Sequence, residues 1–256
     1  MPSTREIALP VWRQMSGAGG ENSLSTAQTG KRRAPRGFSF AAGFLLFLVA
    51  AGWPVCAAAQ NVVLAPENTA SGYVARLLIN EVPFPGERSW VSVEESMAGQ
   101  QAIIWVLRNR LKNIPAGYTQ QQVAATRTDD VIDILTAGNG GQVDGFYRDA
   151  RGRPVMAGRV TERVDYLVDL ANRGTPGRFA RLLNNAQVLA DDFVGTTPTD
   201  PYIDLHEIDG VRVTGSAYGW MTDLQAFHPG GNFIRITDEW RGGMGGNRFF
   251  TLRILP

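Results

Sequence analysis

Val74, Leu77, Leu78 and Glu81 follow the i, i+3, i+4, i+7 spacing of one helical face, so a carboxylate ends an otherwise apolar stripe. Loss of water at such a place disfavours the ionised form and raises the carboxyl's proton affinity, which is what a general acid needs at neutral pH. The alternative is a frayed helix end that turns Glu81 to solvent, because charged side chains are rarely buried without a partner. Gln100 interrupts a second apolar stripe, beside Met97, Ile104, Leu107 and Leu111. A buried amide must find hydrogen-bond partners. Either it orients a substrate or a catalytic group, or it ties a neighbouring loop to the core.

Other chemistries are poorly supplied. His206 and His228 are the only histidines and neither has a second ligand at helical spacing, so no metal site is expected. There is no Gly-x-Ser-x-Gly elbow to suggest a serine hydrolase. Gly138-Asn139-Gly140-Gly141 and Gly242-Gly243-Met244-Gly245-Gly246 lack the Lys-Ser/Thr of a phosphate loop and read as flexible turns. Arg148, Arg151, Arg153 and Arg159 make a local basic loop, either a solvated surface or a place to meet acidic groups on a substrate.

The elements that must position these residues are mostly helical. The stripe ending at Glu81 predicts a helix over 70–82, stopped by Pro83, and Ser92-Val93-Glu94-Glu95 is a capping box opening a long helix to about Lys112. Ile103, Ile104, Trp105, Val106 and Leu107 cover nearly its whole circumference, which predicts a helix buried on every side at the centre of the domain. Further helices are expected from Thr119 with Gln122, over 128–138, over 161–174, and from Thr175-Pro176 through to Gly195 with Pro at the first helical position. After Pro198 short strands are expected over 205–208, 211–213, 233–236 and 248–255, the first two joined by an Asp209-Gly210 turn. The sum is an α+β chain, predominantly helical, with a small C-terminal β element.

An export address precedes this body. Residues 38–55 form an apolar run behind Lys31, Arg32, Arg33 and Arg36 and ahead of Ala57-Ala58-Ala59. That pattern suits a signal peptide cleaved after Ala59, or else an N-terminal membrane anchor; either puts the body outside the cytoplasm, in the periplasm or cell envelope. Residues 1–59 are therefore set apart from a single domain over 60–256. The only cysteine, Cys56, lies in the leader, so the body has no thiol and can form no disulfide. Six of the 25 bases and two of the 24 acids also precede residue 60, which leaves 19 against 22 and a body at −3. A mildly acidic surface offers nucleic acid no general attraction, and no such partner is expected.

Set in order, Glu81, Gly86-Glu87, Gly99-Gln100 with the apolar QAIIWVLR stretch, and Asn109-Arg110 resemble the SleB-type cell wall hydrolases, a lysozyme-like family acting on peptidoglycan. Gly215-Ser216-Ala217-Tyr218 and Gly246-Asn247-Arg248-Phe249-Phe250 are similar to the segments that close that domain, and Asp144-Gly145-Phe146-Tyr147-Arg148 stands where its central segment falls. Asn80 replaces a usual alanine, and the interval from Gly86-Glu87 to Gly99-Gln100 is longer than the family's, the marks of a divergent member. The resemblance implies a lysozyme-like domain that cleaves peptidoglycan glycan strands without metal or organic cofactor. Glu81 matches the catalytic glutamate, Gln100 and Asn109 match positions near it, and Tyr147 and Tyr218 fall where glycan contacts are expected. Glu87 is the nearest second carboxylate for a hydrolase. If Glu87 is only structural, a single-carboxylate route to a 1,6-anhydro product fits better. A catalytically inactive wall-binding module and an envelope structural protein are the rival expectations.

Overall fold

A computed structural model of the chain describes residues 61–140, 142–173, 177–193, 200–222 and 230–256. Helix α1 (Ala70–Glu81) starts where Thr69 turns its hydroxyl onto the Gly72 N–H and stops where Val82 goes extended ahead of Pro83. Helix α2 (Val93–Lys112) starts on the Ser92 hydroxyl, which accepts from the Glu95 N–H. Only that half of the expected capping box forms, because the Glu95 carboxylate instead accepts from the Gly245 N–H at 3.3 Å. Helix α3 (Gln120–Ala124) has the complete box, with Thr119 and Gln122 answering each other's backbone.

Helix α4 (Val131–Thr136) is shorter than the expected 128–138. The Thr128 hydroxyl is engaged with Asp133 and the Asp130 N–H, which passes the cap to Asp130, and Ala137 leaves helical geometry ahead of a left-handed Gly138-Asn139-Gly140 turn. Helix α5 (Gly158–Asn172) begins earlier than the expected 161, fed directly by a strand that ends at Met156. Helix α6 (Arg178–Asp192) starts after Gly177; Pro176 and Gly195, expected at its two ends, lie outside the described residues.

The β structure is not confined to the C-terminal end. The basic segment is a hairpin of β1 (Phe146–Arg148) and β2 (Pro154–Met156), its turn held by Asp149, whose carboxylate accepts from the Arg151 and Arg153 N–H groups. The expected Asp209-Gly210 turn does join β3 (Glu207–Ile208) to β4 (Val211–Arg212), with both turn residues at positive φ. The last sheet contains β5 (Gly219–Thr222), β6 (Phe233–Arg235), β7 (Gly243–Met244) and β8 (Asn247–Leu252), ordered β5-β8-β6 with β7 also on β8. Strand β5 was not among the expected elements, and the glycine run at 242–246 is strand and turn rather than a loose loop.

Residues Ile103 to Leu107 are all at most 3% exposed, so α2 is the buried axis the sequence predicts. Each such aliphatic side chain contributes about 1.5–3 kcal/mol of burial. Helices α1, α2 and α5 pack against α6, while α2 also meets strands β5 and β7 of the sheet. That meeting requires glycine: a Cβ on Gly99 would sit 2.9 Å from the Gly245 Cα, and Gly245 itself is at φ +54°. Backbone thus touches backbone there, and β8 is brought up to the end of α1. Among the described residues no helix is long and apolar enough to cross a membrane, and the apolar run 38–55 lies outside them.

Candidate functional site

Glu81 is the last residue of α1, where helical carbonyls lose their partners and protein from four other segments closes in. The Trp220 indole N–H of β5 donates to its Oε2 at 2.9 Å, and the Asn247 amide of β8 donates to its backbone carbonyl at 2.6 Å. From α5, Arg163 donates to the Ile79 carbonyl at 2.5 Å and the Val82 carbonyl at 3.2 Å, on either side of Glu81. The residue keeps some solvent contact, but protein crowds its carboxyl. Burial pushes that carboxyl above its ordinary value of 4.5, with the Asp144 charge adding to the push; the Trp220 donor, the Arg163 charge and the Asn80 side chain pull the other way, and burial wins. The result is a desolvated carboxyl held by neutral donors, able to keep or give up a proton.

Behind Trp220 stands Arg110, buried on α2, its guanidinium carbon 5.5 Å from the indole centroid and its Nε donating to the Tyr218 carbonyl at 2.7 Å. Burial lowers its pKa to about 10, which leaves it charged at neutral pH. No carboxylate among the described residues pairs with it. A pocket of about 360 Å³ shares Asn247 with the Glu81 site and is lined also by Ser89, Val91, Glu95, Asp238 and Met244.

The residues singled out from sequence do not all gather at Glu81. Glu87 accepts three bonds from Arg163, from Nη2 at 2.7 and 2.8 Å and from Nε at 3.1 Å, and one from the Phe84 N–H at 2.7 Å, so its carboxylate is committed to a clasp between the loop after α1 and helix α5. Gln100 is completely buried and faces α6, donating to the Leu182 carbonyl and accepting from Asn185. Asn109 donates to Asp200 at 2.9 Å and to the Ala217 carbonyl at 3.0 Å while accepting from Asn113, which ties the 200–217 segment to α2. The Tyr218 hydroxyl donates to the Asn113 carbonyl within a second, smaller core, and burial pushes its pKa up to about 12. Tyr147 is half-buried; Phe146 takes the core side of β1, which leaves the Tyr147 ring on the other face.

Of the basic segment, Arg148, Arg153 and Arg159 are paired with Asp133, Asp149 and Asp144 of the same chain. Among the described residues no three His, Cys, Asp or Glu side chains gather where they could hold a metal ion.

Trp220, Asp144 and Arg163 were not anticipated as partners of Glu81. A four-residue strand preceded by Gly-Ser-Ala carries too weak an alternation to mark Trp220, and an arginine on an amphipathic helix gives no sign that it will reach the end of another. Asp144 and Asn247 did stand within segments that the family resemblance picked out. Comparison with protein families, with curated proteins and with solved structures gives no match.

Proposed function

We propose that this chain is an exported, lysozyme-like peptidoglycan glycosidase in which Glu81 is the general acid and base. The observation that carries the proposal is the placement of Glu81 at a helix end with its carboxyl desolvated and bound by an indole N–H instead of a cation. A protonated Glu81 would deliver its proton to the oxygen bridging N-acetylmuramic acid and N-acetylglucosamine while positive charge develops at the sugar's anomeric carbon.

The nearby carboxylates favour the single-carboxylate route. Glu87 is held by Arg163 and Asp144 by Arg159, so neither is presented as a free nucleophile. After the leaving group departs, the Glu81 carboxylate takes the proton of the muramyl 6-hydroxyl, whose oxygen closes on the anomeric carbon to give a 1,6-anhydro end. No metal or organic cofactor enters. Of the tyrosines implied as glycan contacts, Tyr147 is only half-buried, whereas the Tyr218 hydroxyl is spent inside the protein.

Mass spectrometry of fragments released from sacculi by residues 60–256, beside a Glu81→Gln control, tests this directly. Anhydromuramyl fragments that fall by about 10²–10⁴-fold in the control are the expected result. Reducing muramyl ends would replace the anhydro route with hydrolysis. Sacculus binding without fragments from either protein would make the chain a wall-binding module instead.

A further inference from the structure

The proposed chemistry leaves a bidentate ion pair beside the reactive carboxyl with no assigned task. Arg163 reaches across from α5 and divides its donors between two kinds of acceptor. Nη1 and Nη2 hold the Ile79 and Val82 carbonyls at the C-terminal end of α1, and Nε and Nη2 hold the Glu87 carboxylate. Its guanidinium carbon also lies 5.5 Å from the Phe84 ring centroid, so the group is clamped on its face as well as its edge. Exposed carbonyls at a helix C-terminus attract a cation, and one held there fixes the last turn, here the turn that carries Glu81.

We infer that Glu87 and Arg163 form a charge-compensated clasp that positions Glu81, and that Glu87 acts through Arg163 and not as a second carboxylate of the reaction. This rests on the glycosidase reading for its purpose but on geometry alone for its existence. The Arg163 charge draws Glu81 towards the ionised form, and unpaired it would do so more strongly; Glu87, by compensating it, lets the cation hold the helix end without stripping the neighbouring carboxyl of its proton. Of the other groups facing Glu81, Asp144 is paired with Arg159, and Trp220, Asn247 and Asn80, which bond Glu81 itself, are neutral.

The test is a titration in the absence of substrate. Carbon-13 NMR of the full chain labelled at glutamate carboxyls identifies Glu81 as the signal missing from Glu81→Gln, and its midpoint is then read in two variants. Glu87→Gln, which frees the cation, moves the midpoint down; Arg163→Met, which removes it, moves the midpoint up. A purely structural contact gives no reason for opposite signs, so shifts in one direction, or none, overturn the clasp. If Arg163→Met does not fold, Arg163→Lys keeps the charge but loses the fork. Its Glu81 midpoint then stays near the parent value while kcat falls and KM holds, and a midpoint that moves up as for loss of charge overturns the inference. Loss of cleavage in Glu87→Gln with an unmoved Glu81 midpoint also overturns it, by returning Glu87 to the reaction. Opposite shifts in a chain that cleaves no glycan would retain the clasp and end the glycosidase reading, so the two fail separately.

Discussion

Two places in this molecule bury a polar side chain of a helix against the sheet region, one a neutral amide and the other a carboxyl that can ionise. At Asn109 both amide hydrogens and the carbonyl are engaged, by Asp200, the Ala217 carbonyl and Asn113, and Asp200 in turn accepts from the Tyr202 N–H. At Glu81 the carboxyl takes an indole donor from Trp220 and a further bond from the Asn80 side chain, and burial still pushes it towards its neutral form. A closed network gives rigidity and leaves nothing to exchange with a ligand. A carboxyl that burial pushes towards its neutral form is costly to ionise, and that cost is what would suit it to proton transfer. Burial of a polar group is therefore a poor sign of function by itself; burial of one that can gain or lose a proton is the better one.

The largest effect that separates the two is on stability. Asn109→Ala removes the donor to a buried carboxylate and to a buried carbonyl, and is expected to cost about 2–4 kcal/mol in urea denaturation. A variant that kept its stability and lost glycan cleavage would break the comparison by moving Asn109 into the site. Trp220→Phe keeps a ring beneath Arg110 but removes the Glu81 donor. That donor favours the ionised form, so without it Glu81 holds its proton to higher pH. The alkaline limb of kcat/KM should move upward while the rate falls about tenfold, the worth of one hydrogen bond to a charged group. An alkaline limb that stays in place would mean the proton being counted is not on Glu81.

The difference between the two places was only half legible in the sequence. The apolar spacing that ends on Glu81, the Ser92 start and the all-round apolar band at 103–107 encode α1 and α2 locally, and both helices lie where those signals put them. The same spacing made Gln100 and Glu81 look alike, because periodicity reports which face a residue occupies and not what it meets there. Their partners come from far along the chain: Asn185 for Gln100, Trp220 and Asn247 for Glu81. Glycines misled for the opposite reason. The run at 242–246 signals freedom of backbone, yet Gly245 is used for contact, where α2 leaves no room for a side chain.

The smallest effect is also the one whose sign is least intuitive. Burial raises the Glu81 pKa in the folded state above its ordinary 4.5, so through the interval between those two values the folded chain binds more protons than the unfolded one. Stability contributed by this group is then fully present below 4.5 and is lost as pH rises through the folded-state value. Glu81→Gln cannot ionise and escapes that loss. The Gln variant should therefore melt higher than the parent at neutral pH, by about 2–4 °C for each kcal/mol relieved at this chain length, and the gap should close as pH falls from the folded-state value towards 4.5. Thermal melts of both proteins across that range decide it. A variant that melts lower at neutral pH, or by an offset that does not change with pH, would show a carboxylate ionised at no cost, with its bonding closed as completely as that of Asn109.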